Sequence, residues 1–92
     1  MKKLITIQKS DDAADFADLP KIDEYINFKK TIMESGKVTY WDRTEFIDNK
    51  SVITIECDSE ETFDEIVEFG KSLGDWRPGY EVLDVETVNN DW

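Results

Sequence analysis

The apolar positions of this chain follow two rhythms, one of period two and one of about 3.6 residues, and the places where the rhythm changes outline its elements. Lys3 to Gln8 alternates weakly and is rich in β-branched residues, which predicts a first strand. Ser10, Asp11 and Asp12 read as a turn, and Ala13 to Leu19 as a short helical segment. Pro20 then fits the first turn of a longer helix. From Lys21 to Ser35 the residues Ile22, Tyr25, Ile26, Ile32 and Met33 recur at helical spacing. Gly36 is placed to end that helix in a left-handed conformation. Lys37 to Ile47 is rich in Val, Thr, Tyr, Trp and Phe, which suits a strand. Asp48, Asn49 and Lys50 form a turn, and Ser51 to Cys57 completes a hairpin. Asp58 and Glu61 have capping-box spacing. Phe63, Ile66, Val67, Gly70 and Leu73 give the following helix one apolar face, and Gly74 ends it. Arg77, Pro78 and Gly79 turn the chain into a last strand, Tyr80 to Val88. Residues 89–92 read as a polar tail ending in an aromatic.

The predicted order is β-α-β-β-α-β. It implies an α+β fold of the ferredoxin-like kind, a four-stranded antiparallel sheet with two helices on one face. One stretch breaks the pattern. Between Lys37 and Ile47, strict alternation puts Trp41 and Ile47 on one face and Val38, Tyr40 and Phe46 on the other. Either a β-bulge shifts the phase, or a partner subunit covers the second face.

Composition narrows the function. The chain has 92 residues, the size of one domain, read here as a single acidic α+β unit over 1–92. With 39% hydrophobic and 12% aromatic residues it has enough apolar material to fold, despite 36% charged residues. A chain this short leaves little room for a deep catalytic cleft. Its 22 acids against 11 bases give a formal charge of -11. That disfavours nucleic acid or an anionic membrane as a direct partner and points to a basic one. Histidine is absent, and a lone cysteine without histidine has no base to activate it. Cys57 therefore reads as a small buried residue. No Gly-rich loop precedes a helix, and the stretch from Asp42 to Glu56 lacks the order of a calcium loop. The expectation is a binding protein with no catalytic residues, no metal site and no cofactor. The apolar start at Leu4 to Ile7 is too short for a signal-peptide core, and no run approaches a membrane span, so a cytoplasmic location is expected.

The acids are clustered. Six lie between Asp11 and Glu24, with only Lys21 among them, and seven lie between Glu56 and Glu68 with no base. Glu81, Asp84, Glu86 and Asp91 follow Arg77, again with no base. On the second helix Glu60 and Asp64, Glu61 and Glu65, and Asp64 and Glu68 are like charges one turn apart. Each such pair costs ~0.2–0.5 kcal/mol. The helix dipole favours Glu60 and Glu61 but fades beyond the first turn. Carboxylates one turn apart lie about 5–6 Å from each other along the axis, so rows of them can imitate a phosphate track. The candidate partner-binding acids are Asp11, Asp12, Asp15, Asp18, Asp23, Glu24, Glu60, Glu61, Asp64, Glu65, Glu68, Glu81, Asp84 and Glu86. The competing reading is a generic interaction module whose acids serve only solubility. Tyr40, Trp41, Trp76, Tyr80 and Trp92 are many rings for a small domain. Core packing takes most of them, and one or two are candidates for a self-association surface.

The 92-residue length, the acid runs from Asp11 to Glu24 and Glu56 to Glu68, and the mixed α/β order resemble the Arn family, small anti-restriction proteins of T-even bacteriophages. The resemblance is of the whole chain and rests on no short signature. It implies a DNA mimic, dimeric, made by a phage in the cytoplasm of the infected bacterial host. It also implies inhibition of the McrBC restriction endonuclease, which cuts DNA with modified cytosine, and engagement of the nucleoid protein H-NS. No contact residues carry over individually, and the fourteen acids above come from charge reasoning.

Overall fold

Strand β1 (Lys2–Lys9) turns its pleat to good use: Lys3, Ile5 and Ile7 face one way, and Lys2, Leu4, Thr6 and Gln8 the other. In the computed structural model, which describes residues 1–88, this strand lies at the heart of the sheet. The tail expected at 89–92 lies outside the described residues. Strands β2 (Val38–Arg43), β3 (Lys50–Cys57) and β4 (Tyr80–Val88) complete the order β2-β3-β1-β4, antiparallel throughout. Helices α1 (Ile22–Glu34) and α2 (Glu60–Ser72) join them in the order β-α-β-β-α-β. The expected α+β arrangement is therefore the observed one.

Both helices cover the face that carries Ile5, Ile53, Ile55 and Cys57. Ile32 of α1 and Phe63 of α2 close over Val38, Trp41, Ile55 and Cys57 as one buried cluster. Burying such side chains contributes ~1.5–3 kcal/mol each. A second cluster holds Leu19, Leu73 and Trp76. Tyr25 links the two, stacked on Trp76 at 4.8 Å and edge-on to Trp41 at 5.7 Å. The helices meet through Phe28 and Phe69, whose rings stack at 4.1 Å.

Of the two readings of the broken alternation the β-bulge is the one observed, while other local expectations need correction. The register slips between Val38 and Tyr40, so a bulge turns both Val38 and Trp41 inward and Tyr40 outward. Strand β2 stops at Arg43 rather than Ile47. The Thr44 amide still donates to the Val52 carbonyl at 3.0 Å, but Thr44 Oγ1 accepts the Val52 amide at 3.0 Å and its carbonyl accepts the Ser51 hydroxyl at 2.6 Å, so side chains take over the other bonds of the ladder. Ile47 is left 73% exposed and bridges only to Lys50. The hairpin turns through Asp48 (φ 52) and Asn49 (φ 65), the two-residue geometry that matches strand twist.

Helix α1 starts at Ile22, so Pro20 lies before the helix and not in its first turn. Lys21 separates them with φ 60, and its ammonium donates to the Leu73 carbonyl at the end of α2, 3.1 Å away. The helical segment expected over Ala13 to Leu19 shrinks to a single 3-10 turn, Phe16–Asp18. The cap of α2 is Ser59 rather than Asp58: Ser59 Oγ accepts the Thr62 amide at 3.2 Å. Asp58 instead accepts the Thr62 and Ser59 hydroxyls.

Candidate acidic partner-binding surfaces

All fourteen candidate acids are exposed. The fold distributes them over three places. Asp11, Asp12, Asp15 and Asp18 lie in the connection between β1 and α1. This connection is held against the start of β4: the Ser10 amide donates to the Gly79 carbonyl at 2.8 Å, and Tyr80 Oη to the Ala14 carbonyl at 2.7 Å. Asp11 accepts from the Asn49 side-chain amide, and Asp12 accepts from Ser10 Oγ at 2.8 Å. Asp23 and Glu24 follow in the first turn of α1, where the positive end of the helix dipole favours them.

Glu60, Glu61, Asp64, Glu65 and Glu68 line the exposed side of α2. The Lys21–Leu73 contact puts the start of α1 beside the end of α2. Glu60 and Glu61 therefore stand about 18 Å away, at the other end of the helix layer.

The third group is on β4. Glu81, Asp84 and Glu86 are register partners of Gln8, Thr6 and Leu4 and share their helix-free face. Val82 and Val85 pair with Ile7 and Ile5 on the helix side. The three acidic runs therefore do not share one face: the β4 acids point away from the helix layer.

Four ion pairs compensate candidate acids, one of them, Lys71–Glu68, between neighbours on α2 and the other three across longer stretches of chain. Lys3 pairs with Glu60 at 2.9 Å, Lys37 with Glu65 at 3.6 Å, Lys71 with Glu68 at 3.7 Å and Lys9 with Asp15 at 3.8 Å. The Lys37–Glu65 and Lys71–Glu68 pairs are exposed on both sides and contribute ~0–1 kcal/mol each, whereas the Lys3 side chain is buried. They still correct the expectation that the α2 acids stand uncompensated. On α2 only Glu61 and Asp64 have no ion pair among the described residues. Lys3 was not singled out by its sequence. It is 5% exposed, donates to Thr87 Oγ1 at 2.6 Å, and sits 4.8 Å from the Phe63 ring centre. Its inward place in the alternation of β1 was the available signal.

Of the five conspicuous aromatics, Trp41 and Trp76 are buried and Tyr80 is half-buried. Tyr40 is 44% exposed on the helix-free face, and Trp92 lies outside the described residues. The Cys57 thiol is buried, donates to the Ser59 carbonyl at 3.5 Å, and is pushed up in pKa by desolvation. The hydroxyl of Thr62, then that of Ser59, holds the Asp58 carboxyl below its usual range. Among the described residues no group of three His, Cys, Asp or Glu side chains is placed to hold a metal ion, and no helix is long and apolar enough to cross a membrane.

A feature absent from the sequence reading is an apolar groove of about 400 Å³ on the helix side. Ile5 and Ile7 of β1, Ile66, Val67 and Gly70 of α2, and Val82 and Val85 of β4 line it. Val67, Val82 and Val85 are 37%, 41% and 46% exposed. Gly70, in the apolar face of α2 with open space around it, was the legible hint.

No known protein family, curated protein or solved structure matches the chain.

Proposed function

We propose that this protein is a DNA mimic of the Arn kind, not an enzyme, that binds and inhibits a DNA-binding host protein through its exposed carboxylates. The favoured target is a McrBC-type restriction endonuclease, with the nucleoid protein H-NS as a second one, in the cytoplasm of an infected bacterium. The observation that supports this reading is the charge density of α2. Its five exposed acids from Glu60 to Glu68 fall within about 12 Å of helix axis, one per ~2–3 Å. Duplex DNA carries one charge per ~1.7 Å over both strands and ~3.4 Å per strand, so the helix falls between the two. A surface that holds phosphates with Lys and Arg accepts carboxylates by the same charge-assisted hydrogen bonds.

The split of the acids between two faces, and the four ion pairs, favour a second reading, an interaction module whose acids only confer solubility. The triple substitution Asp64→Gln, Glu65→Gln and Glu68→Gln separates the two. Mimicry requires that binding to purified nuclease or H-NS weaken at least tenfold in this variant. It also requires that binding weaken with rising salt and that duplex DNA displace the protein. Binding indifferent to the substitutions, to salt and to DNA would sink it.

A further inference from the structure

We infer that the outer edge of β4 is a docking site for an extended segment of a partner protein in which basic and apolar residues alternate, added to the sheet as a fifth strand. This inference is separate from DNA mimicry, because it uses acids on the opposite side of the sheet from α2.

Strand β4 is nine residues long and pairs on one side only, with β1. Its other backbone edge is unpaired among the described residues, and residues 81–87 are all exposed. An unpaired edge of this length is a template for strand addition, in which main-chain hydrogen bonds supply affinity and alternating side chains supply specificity.

The two sides of this edge differ in chemistry. On the helix-free side stand Glu81, Asp84 and Glu86; the last two are about 6.7 Å apart, the repeat of every second residue in a strand. On the helix side stand Val82 and Val85, at the lip of the apolar groove. β4 bulges against β1 between Val82 and Asp84, where Leu83 has no partner, so an added strand shares the regular pleat of residues 84–88. Its side chains on the helix-free side meet carboxylates, and those on the other side meet Val85 and the groove. Lysine or arginine at every second position, with aliphatic residues between, satisfies both sides.

A second copy of the chain is the wrong occupant. Pairing β4 with another β4 would lay acids against acids on a chain of formal charge -11, and like charges directly opposite are destabilising. The same acids that guard the edge against self-association select a basic strand.

The test uses the full chain and a fluorescent nine-residue peptide alternating lysine and valine. One control has the same composition with lysines and valines in separate blocks. A second keeps the alternation but carries N-methyl groups on alternate amides of its pairing edge. Fluorescence anisotropy should show at least tenfold tighter binding of the alternating peptide than of either control. The variant carrying Glu81→Gln, Asp84→Gln and Glu86→Gln should lose at least tenfold, while the α2 variant Asp64→Gln, Glu65→Gln, Glu68→Gln should bind as before. Amide exchange in β4 should slow at least tenfold on binding, at the alternate positions not bonded to β1. Equal affinity for alternating and blocked peptides, indifference to N-methylation, or protection elsewhere than β4 would overturn the inference. The α2 variant leaves β4 intact, so its loss of nuclease inhibition tests the mimicry while its peptide binding tests the edge, and the two readings fail separately.

Discussion

The two edges of the sheet are made of similar residues and have opposite fates. Strand β2 contains Val38, at 1% exposure, and Trp41, at 7%, both under the helix layer. Strand β4 contains Val82 and Val85, at 41% and 46%, and nothing covers them among the described residues. The helices have the same length, 13 residues each, so a shorter helix is not the cause. Helices α1 and α2 close over β2 and β3, and the groove runs from Trp41, Ile53 and Ile55 beneath them out to Val82 and Val85 of β4. The difference teaches that a strand's composition sets what it could bury, while the placement of the helix layer sets what it does bury.

The sharpest way to break this comparison is to truncate one residue on each edge. Trp41→Ala should cost ~3–5 kcal/mol in urea unfolding, and Val85→Ala less than ~1 kcal/mol, because an exposed valine leaves no cavity. Similar losses at both positions would mean that β4 is covered in solution.

The next largest effect is on alkaline stability and belongs to the closed side. Burial raises the Tyr25 hydroxyl from 10.0 to about 12, against the smaller opposing effects of Trp41, Arg77 and Arg43. The unfolded chain loses this proton near pH 10 while the folded chain keeps it, so stability falls as pH rises from about 10 to 12. The loss amounts to about 2–3 kcal/mol. Denaturation followed across that range should show the fall, and Tyr25→Phe should flatten it. Tyr80, nearer the open edge, is also raised by burial and adds a loss of the same sign.

Gly79 tests how the open edge is anchored. Its φ is 87, and a Cβ there would meet the Ala13 Cβ and Ser10 Oγ at 2.8 Å. Gly79→Ala should cost ~1–3 kcal/mol and loosen the start of β4 first, read as faster amide exchange at Ser10 and Tyr80. The smallest expected effect is at the cap of α2, the helix that walls the groove. Ser59→Ala should cost ~1 kcal/mol by thermal unfolding, whereas Asp58→Asn should leave the cap bond to the Thr62 amide intact.

Much of the fold was legible because hydrophobic period is a local property. The alternation of β1 and β3 and the helical spacing of Phe63, Ile66 and Leu73 need only near neighbours to be read. The bulge in β2 left a trace, and so did a second one in β4, where the register with β1 shifts between Val82 and Asp84. Val38 and Trp41 are three apart, and Val82 and Leu83 are adjacent apolar residues in an alternating run, each a slip of phase where the register shifts. The start of α1 was misread because Pro20 fits a first turn locally, while Lys21 takes a left-handed conformation and reaches the end of a helix far along the chain. The cap of α2 was misplaced by one residue because Asp58 and Ser59 are both competent acceptors, and only the backbone path selects between them.

The charges divide differently. That the chain is acidic, lacks histidine and concentrates its acids in three runs is determined by the sequence alone, since charge and residue type do not depend on folding. Exposure of those acids follows from the cost of burying an unpaired carboxylate. Their partners and their direction are another matter. Lys3 reaches Glu60 from 57 residues away, and the pleat of β4 sends Glu81, Asp84 and Glu86 to the face opposite the helices. Only the tertiary structure decides these, because ion pairing acts over a few ångströms of space between segments distant in the chain, and the side of a sheet that an edge strand shows depends on its register with a neighbour.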